Sequence, residues 1–177
     1  MILTQVNQPS TIEEHLVQRA AAGDRAAFGE LYSRYAHVVH GILLARVRCN
    51  EAEDLVQDVF VTAMSRLTQL RDCTSFSAWI CAIARNRAYD FHRGNHPGYP
   101  IRDDQLQGRP APPEAISAMD AIRSLPDAYR ETLMLRLVEG MTGPEIAFRT
   151  GLTHESVRVN LCRGMKMLRE KIEGKHL

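Results

Sequence analysis

Residues that can act as nucleophiles, acid–base groups or metal ligands occur in this sequence without the grouping that such chemistry needs. The four cysteines show neither a Cys-x-x-Cys motif nor a cysteine–histidine ligand spacing, so we expect buried, reduced thiols rather than a disulfide framework or a zinc site. His37 and His40 can share one helix face, but zinc sites use three or more protein ligands. We therefore predict no metal, no cofactor and no catalytic residues. The cysteines are Cys49, Cys73, Cys81 and Cys162.

Residues suited to DNA binding lie near the C-terminus, where the sequence predicts a helix-turn-helix. Thr142 and Glu145 fit a capping box, with Pro144 in the first turn of a short helix. Gly151 then turns the chain, and Thr153 caps a long last helix whose N-terminal part is expected to enter the major groove. At about 100° per residue, one face of this last helix is apolar and packs inward. That face comprises Val157, Leu161, Gly164, Leu168 and Ile172.

The outer face of the last helix mixes basic and polar side chains. Basic side chains hold phosphates, and polar side chains read base edges. The alternative is an αα-hairpin whose charged face only meets water. The candidate DNA-contacting residues are Glu155, Ser156, Arg158, Val159, Asn160, Arg163 and Lys166.

A second candidate surface is a polar stripe on a helix predicted over residues 51–70. The stripe contains two carboxylates, but no neighbouring histidine, lysine or metal ligand offers acid–base help. It therefore suits the docking of a basic partner helix better than catalysis, although a merely solvated face is the alternative. The candidate docking residues are Asp54, Gln57, Asp58 and Val61.

A third candidate surface lies on the next predicted helix, over residues 75–93. Aromatic faces, an amide and a guanidinium fall along one stripe, and unstacked bases bind such surfaces by stacking and by hydrogen bonds. The alternative is that Trp79 is a core aromatic and Tyr89 is half-buried. The candidate base-contacting residues are Trp79, Asn86, Tyr89 and Arg93, beside an expected core of Phe76, Ile80, Ile83 and Phe91.

Apolar residues at three- and four-residue spacing on both sides of a linker indicate an all-α fold with two small helical domains. Residues 95–113 concentrate glycine, proline and aspartate without an apolar period, which is typical of a flexible linker. The predicted domains are residues 10–94 and 114–177. The first is expected to contain helices over residues 11–22, 24–48, 51–70 and 75–93.

The composition describes an ordinary globular chain of 177 residues, with 45% hydrophobic and 24% charged residues. The longest apolar run, residues 38–47, is interrupted by Arg46 and is far too short to span a bilayer. The N-terminus lacks the features of a secretory signal, so we expect a cytoplasmic protein without membrane insertion. The net charge of +1 gives no global sign of nucleic-acid binding.

Two segments resemble the sigma factors of bacterial RNA polymerase. Residues 124–170, SLPDAYRETLMLRLVEGMTGPEIAFRTGLTHESVRVNLCRGMKMLRE, resemble region four, which reads the minus-thirty-five promoter element. AEDLVQDVFVTAM, residues 52–64, is similar to region two, and FSAWICAIARNRAYDFHR, residues 76–93, resembles the part that melts and captures the minus-ten element. Asn160, Met165 and Met167 replace residues that are usually basic in the family.

The sequence predicts two structured domains and no third one, and in this respect the chain resembles the extracytoplasmic-function (ECF) subfamily. This resemblance implies an alternative sigma factor that binds core RNA polymerase and both duplex and single-stranded promoter DNA, with an anti-sigma factor as a further partner. It implies that the stripe at Asp54 docks on the polymerase and that the chain is not an enzyme. A stand-alone helix-turn-helix regulator is the alternative function, and a helical enzyme or metal-binding bundle is a third.

Overall fold

The computed structural model describes residues 11–95 and 118–173. These residues form eight α-helices and two short 3-10 turns without any strand, so the all-α prediction is confirmed. The turns are Leu67–Gln69 and Cys73–Ser75. The helices are α1 (Thr11–Ala21), α2 (Arg25–Leu44), α3 (Cys49–Arg66), α4 (Phe76–Asn95), α5 (Ala118–Arg123), α6 (Asp127–Leu137), α7 (Gly143–Thr150) and α8 (His154–Glu173).

The first half of the structure, α1 to α4, packs around α2. Asp24 caps α2 by accepting hydrogen bonds from the backbone N–H groups of Ala26 and Ala27, which would otherwise lack partners. Tyr35 of α2 and Phe76 of α4 are fully buried, with ring centroids 5.1 Å apart in an edge-to-face arrangement. Of the four residues expected in the α4 core, Phe76 and Ile80 are buried, whereas Ile83 and Phe91 are only partly buried. The expectation of buried thiols is met at Cys81 but is wrong for Cys49 and Cys162, which are exposed.

The second half, α5 to α8, contains the predicted helix-turn-helix. Thr142 and Glu145 form the capping box at the start of α7, and Gly151 ends α7 with a φ of 74°, which favours glycine. Gly164 of α8 is buried against α6, where an added Cβ would lie 3.0 Å from Leu133 Cδ1. The inward prediction for Ile172 is wrong: the residue is 43% exposed, because α8 extends past the buried Leu168.

The two halves pack against each other, with α2 against α6 and α4 against α7. Gly41 permits the close approach of α6, because a Cβ at this position would lie 2.6 Å from Leu135 Cδ2. Glu13 of α1 accepts hydrogen bonds from the Tyr35 hydroxyl and, at 3.3 Å, from Arg149 of α7. Burial, reinforced by Glu13, raises the pKa of Tyr35 above its ordinary range.

The predicted linker lies almost entirely outside the described residues. The structure does not describe residues 96–117. Of the predicted linker, residues 95–113, it therefore describes only Asn95, which is the last residue of α4. Among the helices of the described residues, none is long and apolar enough to cross a membrane.

Candidate nucleic-acid and polymerase interfaces

The polar stripe on α3 is open to solvent for most of its length. Asp54, Gln57 and Val61 are exposed, and Val61 is 69% accessible although it is apolar. The opposite side of α3 buries Leu55, Val59, Phe60 and Ala63, among others, so the stripe is the face left over after core packing. The helix starts with the Glu51 carboxylate accepting a hydrogen bond from the Arg48 backbone N–H at 2.9 Å. Single exposed apolar residues are common on protein surfaces, so the exposure of Val61 does not by itself distinguish a docking face from a solvated one.

Asp58, the fourth residue of the stripe, is half-buried and lies in a groove between α3 and α4. Its carboxylate accepts a hydrogen bond from Arg87 of α4 at 2.5 Å. The groove has a volume of about 450 Å³, and Asp54, Asp58 and Asp90 line it together with Arg87. A single guanidinium therefore faces several carboxylates, and the groove has an acidic character.

Sequence analysis missed Arg87 as part of this surface. The Nε atom of Arg87 is buried and has no hydrogen-bond partner in the described part of the chain. The ion pair joins residues 29 positions apart on two helices. Helical periodicity places residues on a face of their own helix, but it does not say which face of another helix they meet.

The four residues of the predicted aromatic stripe lie on α4 in different environments. Trp79 is half-buried and packs against Phe76 at a ring-centroid distance of 5.9 Å, so it also belongs to the core. Asn86 and Arg93 are exposed, and Arg93 pairs with Asp90 at 3.1 Å. Tyr89 is 38% exposed. The stripe therefore offers an aromatic edge, an amide and a guanidinium on one side of the helix.

The hydroxyl of Tyr89 is not free. It donates a hydrogen bond to the Asp127 carboxylate at the start of α6, at 3.0 Å. Burial acts against the ionised form of Asp127, but the neighbouring charge of Arg46 and the hydrogen bond from Arg130 keep the pKa of this carboxyl below its ordinary value. Tyr89 thus donates to a carboxylate of the second half of the molecule.

The loop before α4 is held by Asp72. Its carboxylate accepts hydrogen bonds from the Thr74 hydroxyl at 2.7 Å, the Ser75 hydroxyl at 2.7 Å and the Thr74 backbone N–H at 3.0 Å. These hydrogen bonds lower the pKa of the Asp72 carboxyl, and the one from the Thr74 hydroxyl has the largest effect. The loop enters α4 in a fixed conformation, three residues from Trp79.

The outer face of α8 presents its basic residues to solvent. Arg158, Arg163 and Lys166 are exposed, and none of the three forms an ion pair within residues 11–95 and 118–173. Glu155 and Ser156 are also exposed, whereas Val159 and Asn160 are half-buried. The charged members of the predicted DNA-contacting set are therefore accessible, whereas Val159 and Asn160 are partly covered.

The start of α8 has the predicted cap. The Ser156 backbone N–H donates to Thr153 Oγ1 at 3.1 Å, and the Thr153 hydroxyl donates to Ser156 Oγ at 2.8 Å. The Ser156 hydroxyl is accordingly engaged in the cap, although it retains its own proton to donate. The turn at Gly151 leads into α8, whose first-turn residues Glu155 and Ser156 are exposed.

Comparison with known proteins finds two family matches. Residues 31–97 match the Sigma-70 region 2 family, and residues 116–168 match the Sigma-70, region 4 family. The first match covers α3 and α4 with their two stripes, and the second covers most of the second half, including the start of α8.

Individual relatives agree with these matches. The chain is 31% identical to the RNA polymerase sigma factor CarQ of Myxococcus xanthus, over 87% of this chain and 94% of CarQ. It is 32% identical to the ECF RNA polymerase sigma factor ShbA of Streptomyces griseus, over 93% of this chain and 97% of ShbA. A solved structure of CnrH, a sigma factor of Cupriavidus metallidurans, in complex with the cytosolic domain of CnrY is similar with a TM-score of 0.61 at 25% identity, covering 92% of this chain and 97% of that chain.

The stand-alone regulator is not favoured by these findings, because the relatives match across both halves and not in the helix-turn-helix alone. The chain belongs to the ECF family of RNA polymerase sigma factors and is an alternative sigma factor that directs transcription initiation.

Proposed function

We propose that this sigma factor works through three separate surfaces, one for the polymerase and two for promoter DNA. The observation that carries the proposal is the exposed stripe of Asp54, Gln57 and Val61, which the packing of the two halves leaves uncovered. An acidic stripe that ends in an apolar residue complements a helix that carries basic side chains beside an apolar contact. We assign this stripe, with Asp58, to core RNA polymerase.

The two DNA surfaces are assigned to the two halves. In the domain of residues 10–94, Trp79, Asn86, Tyr89 and Arg93 receive the unpaired strand of the minus-ten element, by stacking and by hydrogen bonds to base edges. In the domain of residues 114–177, the outer face of α8 enters the major groove of the minus-thirty-five element. Residues 95–113 are proposed as the linker that lets the domains act at different points.

The mechanism is binding without catalysis by this chain, which we place in the cytoplasm. Two DNA readers attached to one polymerase raise each other's effective concentration at the promoter, so that their combined affinity exceeds that of either alone. Capture of the unpaired strand then stabilises the open bubble, since stacking is worth about 1 to 3 kcal/mol per base. The phosphodiester chemistry belongs to the polymerase.

A protein inhibitor is the further proposed partner. CnrH is seen in complex with the cytosolic domain of CnrY, and we propose that a comparable anti-sigma factor binds this chain. The exposed apolar residues Val61, Met64 and Leu137, of which Val61 is the most accessible, are suited to such contacts.

The test is reconstitution. The purified chain is passed over a sizing column with core RNA polymerase, and the mixture is then assayed for transcripts from a library of promoter fragments. We expect co-elution and transcription from a subset of fragments with shared upstream and minus-ten sequences. A chain that binds duplex DNA tightly by itself, and never co-elutes with core polymerase, would instead be a stand-alone regulator.

A further inference from the structure

The groove between α3 and α4 places a cation of this chain on an acid of the polar stripe. The Nη2 atom of Arg87, on α4, donates to Oδ2 of Asp58, on α3, at 2.5 Å. Asp58 is one of the residues assigned to core RNA polymerase, and that assignment requires a basic partner. The free chain therefore holds, at this carboxylate, a group of the same chemical class as the partner's side chains.

The guanidinium of Arg87 is attached at a single point. Its Nη2 atom bonds Asp58, but its Nε atom is buried and has no hydrogen-bond partner in the described part of the chain. Arg130, by contrast, donates to Asp127 through both Nε and Nη2, at 2.9 and 2.6 Å. A buried donor without a partner has lost its water and gained nothing, which weakens the closed contact. The contact between Arg87 and Asp58 is thus one that a competing cation can displace.

Both partners of this contact are accessible to another protein. The side chains of Arg87 and Asp58 are 42% and 48% exposed. The groove beside them has a volume of about 450 Å³ and is also lined by the apolar side chains of Leu55 and Phe91. A lysine or arginine of a partner can lay its apolar stem along such side chains while its charged head reaches a carboxylate. The groove therefore has room for a second cation at Asp58.

The other acids of the groove do not hold Arg87. Asp90 pairs with Arg93 of its own helix at 3.1 Å, and Asp54 forms no ion pair within residues 11–95 and 118–173. Among the described residues that line the groove, Arg87 is the only basic one. A like charge beside a docking cation is unfavourable, so Arg87 opposes a basic partner as long as it stays on Asp58.

We propose that Arg87 is an internal competitor of core RNA polymerase. Its guanidinium occupies the Asp58 carboxylate in the free chain, and the polymerase displaces it in order to dock fully. The inference rests on the proposed function, because it needs the polar stripe on α3 to be the docking surface. It goes further by assigning to Arg87 a contact that lowers the affinity for the polymerase. A protein whose competent form is only part of the population binds with an affinity reduced by that fraction.

Neutralising Arg87 tests the competition directly. Arg87→Gln keeps a polar side chain and loses the charge, so it should bind core RNA polymerase about 2- to 5-fold more tightly than the wild type, the range that corresponds to an exposed ion pair. The affinity is measured by titration of the labelled full-length chain with core enzyme. The gain should shrink at high salt, because salt screens exposed charges.

Arg25→Gln is the matched control for the change in net charge. Arg25 is an exposed arginine of α2 that forms no ion pair within the described residues. Its replacement should leave the affinity for core polymerase at the wild-type value. An unchanged or lowered affinity of Arg87→Gln would overturn the competition, since a residue that merely positions Asp58 would lose affinity when it is removed.

A double-variant cycle shows whether Arg87 acts through Asp58. Asp58→Asn removes the carboxylate charge and should weaken polymerase binding. In the Asp58→Asn background, Arg87→Gln should bring less than half of its gain, because the contact that it releases is already absent. The full gain in that background would mean that Arg87 acts only through the overall charge, and the competition would be wrong.

Chemical modification of Arg87 gives a measurement without the polymerase. Phenylglyoxal modifies guanidinium groups, and its reaction with each arginine of the free chain is followed by peptide mass spectrometry. Asp58→Asn should raise the rate at Arg87 by about 2- to 5-fold, because the carboxylate that holds it has been removed. Arg25 in the same digest is the internal standard. An unchanged rate at Arg87 would show that Asp58 does not hold it in the free chain, and would overturn the proposal.

These variants also separate the competition from the proposed function. If Asp58→Asn binds core polymerase as tightly as the wild type, the docking assignment is wrong and the competition falls with it. If Asp58→Asn weakens binding but Arg87→Gln does not strengthen it, the docking surface stands and Arg87 is not a competitor. Helix content and thermal melting are recorded for every variant, and each should fold like the wild type because the pair is partly exposed.

Discussion

The guanidinium of Arg87 lies 2.5 Å from the Asp58 carboxylate across the groove between α3 and α4. One acid of the polar stripe on α3 is thereby paired from within the chain, whereas Asp54 forms no ion pair in the described residues. Both partners of the Arg87–Asp58 pair are partly exposed, so the pair contributes little to stability. Its effect is on the charge that the stripe presents to a partner.

Reversing the charge of the stripe should weaken polymerase binding. Because Asp54 and Asp58 face a basic partner in our assignment, Asp54→Lys with Asp58→Lys should lower the affinity for core RNA polymerase by tens-fold or more. The affinity is measured by titration of labelled sigma factor with core enzyme. Glu53→Lys is the matched control, since Glu53 is an exposed acid of the same helix outside the stripe. Undiminished binding by a folded double variant would remove the docking assignment.

Asn86 and Tyr89 should act in promoter opening and not in polymerase binding. Tyr89→Ala and Asn86→Ala are expected to slow opening of a duplex promoter, and loss of one stacked base corresponds to roughly 5- to 150-fold. Tyr89→Phe keeps the ring and loses the hydrogen bond to Asp127, so it should open promoters at least as fast as the wild type. Open complexes are followed by permanganate reactivity of unpaired thymines.

A template already unpaired at the minus-ten element provides the control for these variants. It should rescue transcription by Asn86→Ala, because the cost of opening has been removed. Normal opening of a closed duplex by both alanine variants would mean that the α4 stripe is structural.

Arg158 and Arg163 are expected to have different roles in reading the upstream element. Arg158 is near the start of α8 and is the better candidate for a base edge, where a bidentate contact discriminates by about 1 to 3 kcal/mol. Arg158→Ala should therefore relax the preference among upstream sequences. Arg163→Ala should weaken binding to all of them alike and reduce the salt slope by about one.

These affinities are measured with assembled holoenzyme on a set of upstream-element variants. Arg169→Ala is the comparison, since it removes an exposed arginine farther along the same helix. An Arg158→Ala holoenzyme that keeps the full ranking of upstream sequences would deprive this residue of its assigned role.

The capping box of α7 should make stability depend on pH. Hydrogen bonds from the Thr142 hydroxyl and then from its backbone N–H lower the pKa of Glu145. A carboxyl whose pKa is lower in the folded state stabilises the fold above its unfolded pKa, and this contribution is lost as the pH falls through the folded value. The difference in melting temperature between the wild type and Glu145→Gln should therefore shrink below about pH 4.

The cap itself is tested at neutral pH. Thr142→Ala should lower the melting temperature by roughly 2 to 4 °C, because the α7 N-terminus loses a hydrogen-bond acceptor. Ser65→Ala removes an exposed hydroxyl from the last turn of α3, where it donates to the Thr62 backbone carbonyl of the same helix, and it should cause no such loss. Equal melting curves for Thr142→Ala and the wild type would show that the cap is dispensable.

Local signals in the sequence were sufficient for most of the helices and for the caps of the helix-turn-helix, whereas α5 was not predicted. The capping box at Thr142, the turn at Gly151 and the cap at Thr153 all lie where the sequence predicts them, because each depends on residues within a few positions. The ends of helices were less well predicted: α2 ends at Leu44 rather than near residue 48, and α3 begins at Cys49 rather than at residue 51. The roles of the site residues stay predictions.

The packing of the two halves could not be predicted from the sequence. Arg46 interrupts an apolar run, which is a sign of a buried charge, but its partner Glu131 is 85 positions away. Periodicity assigns a face within a helix and says nothing about which faces of two domains meet. For the same reason the sequence did not indicate that Arg85 contacts Glu131 or that Tyr89 contacts Asp127.

The contact between the two halves contains charges as well as apolar side chains. The Glu131 carboxylate of α6 accepts hydrogen bonds from Arg46 and Arg85 of the first half, at 2.9 and 2.7 Å. Removal of either half would expose these ions to water, whereas an interface made only of leucine and valine would become an apolar patch of the kind that promotes aggregation. Either half expressed alone is therefore expected to lose less solubility than a domain cut from an entirely apolar interface.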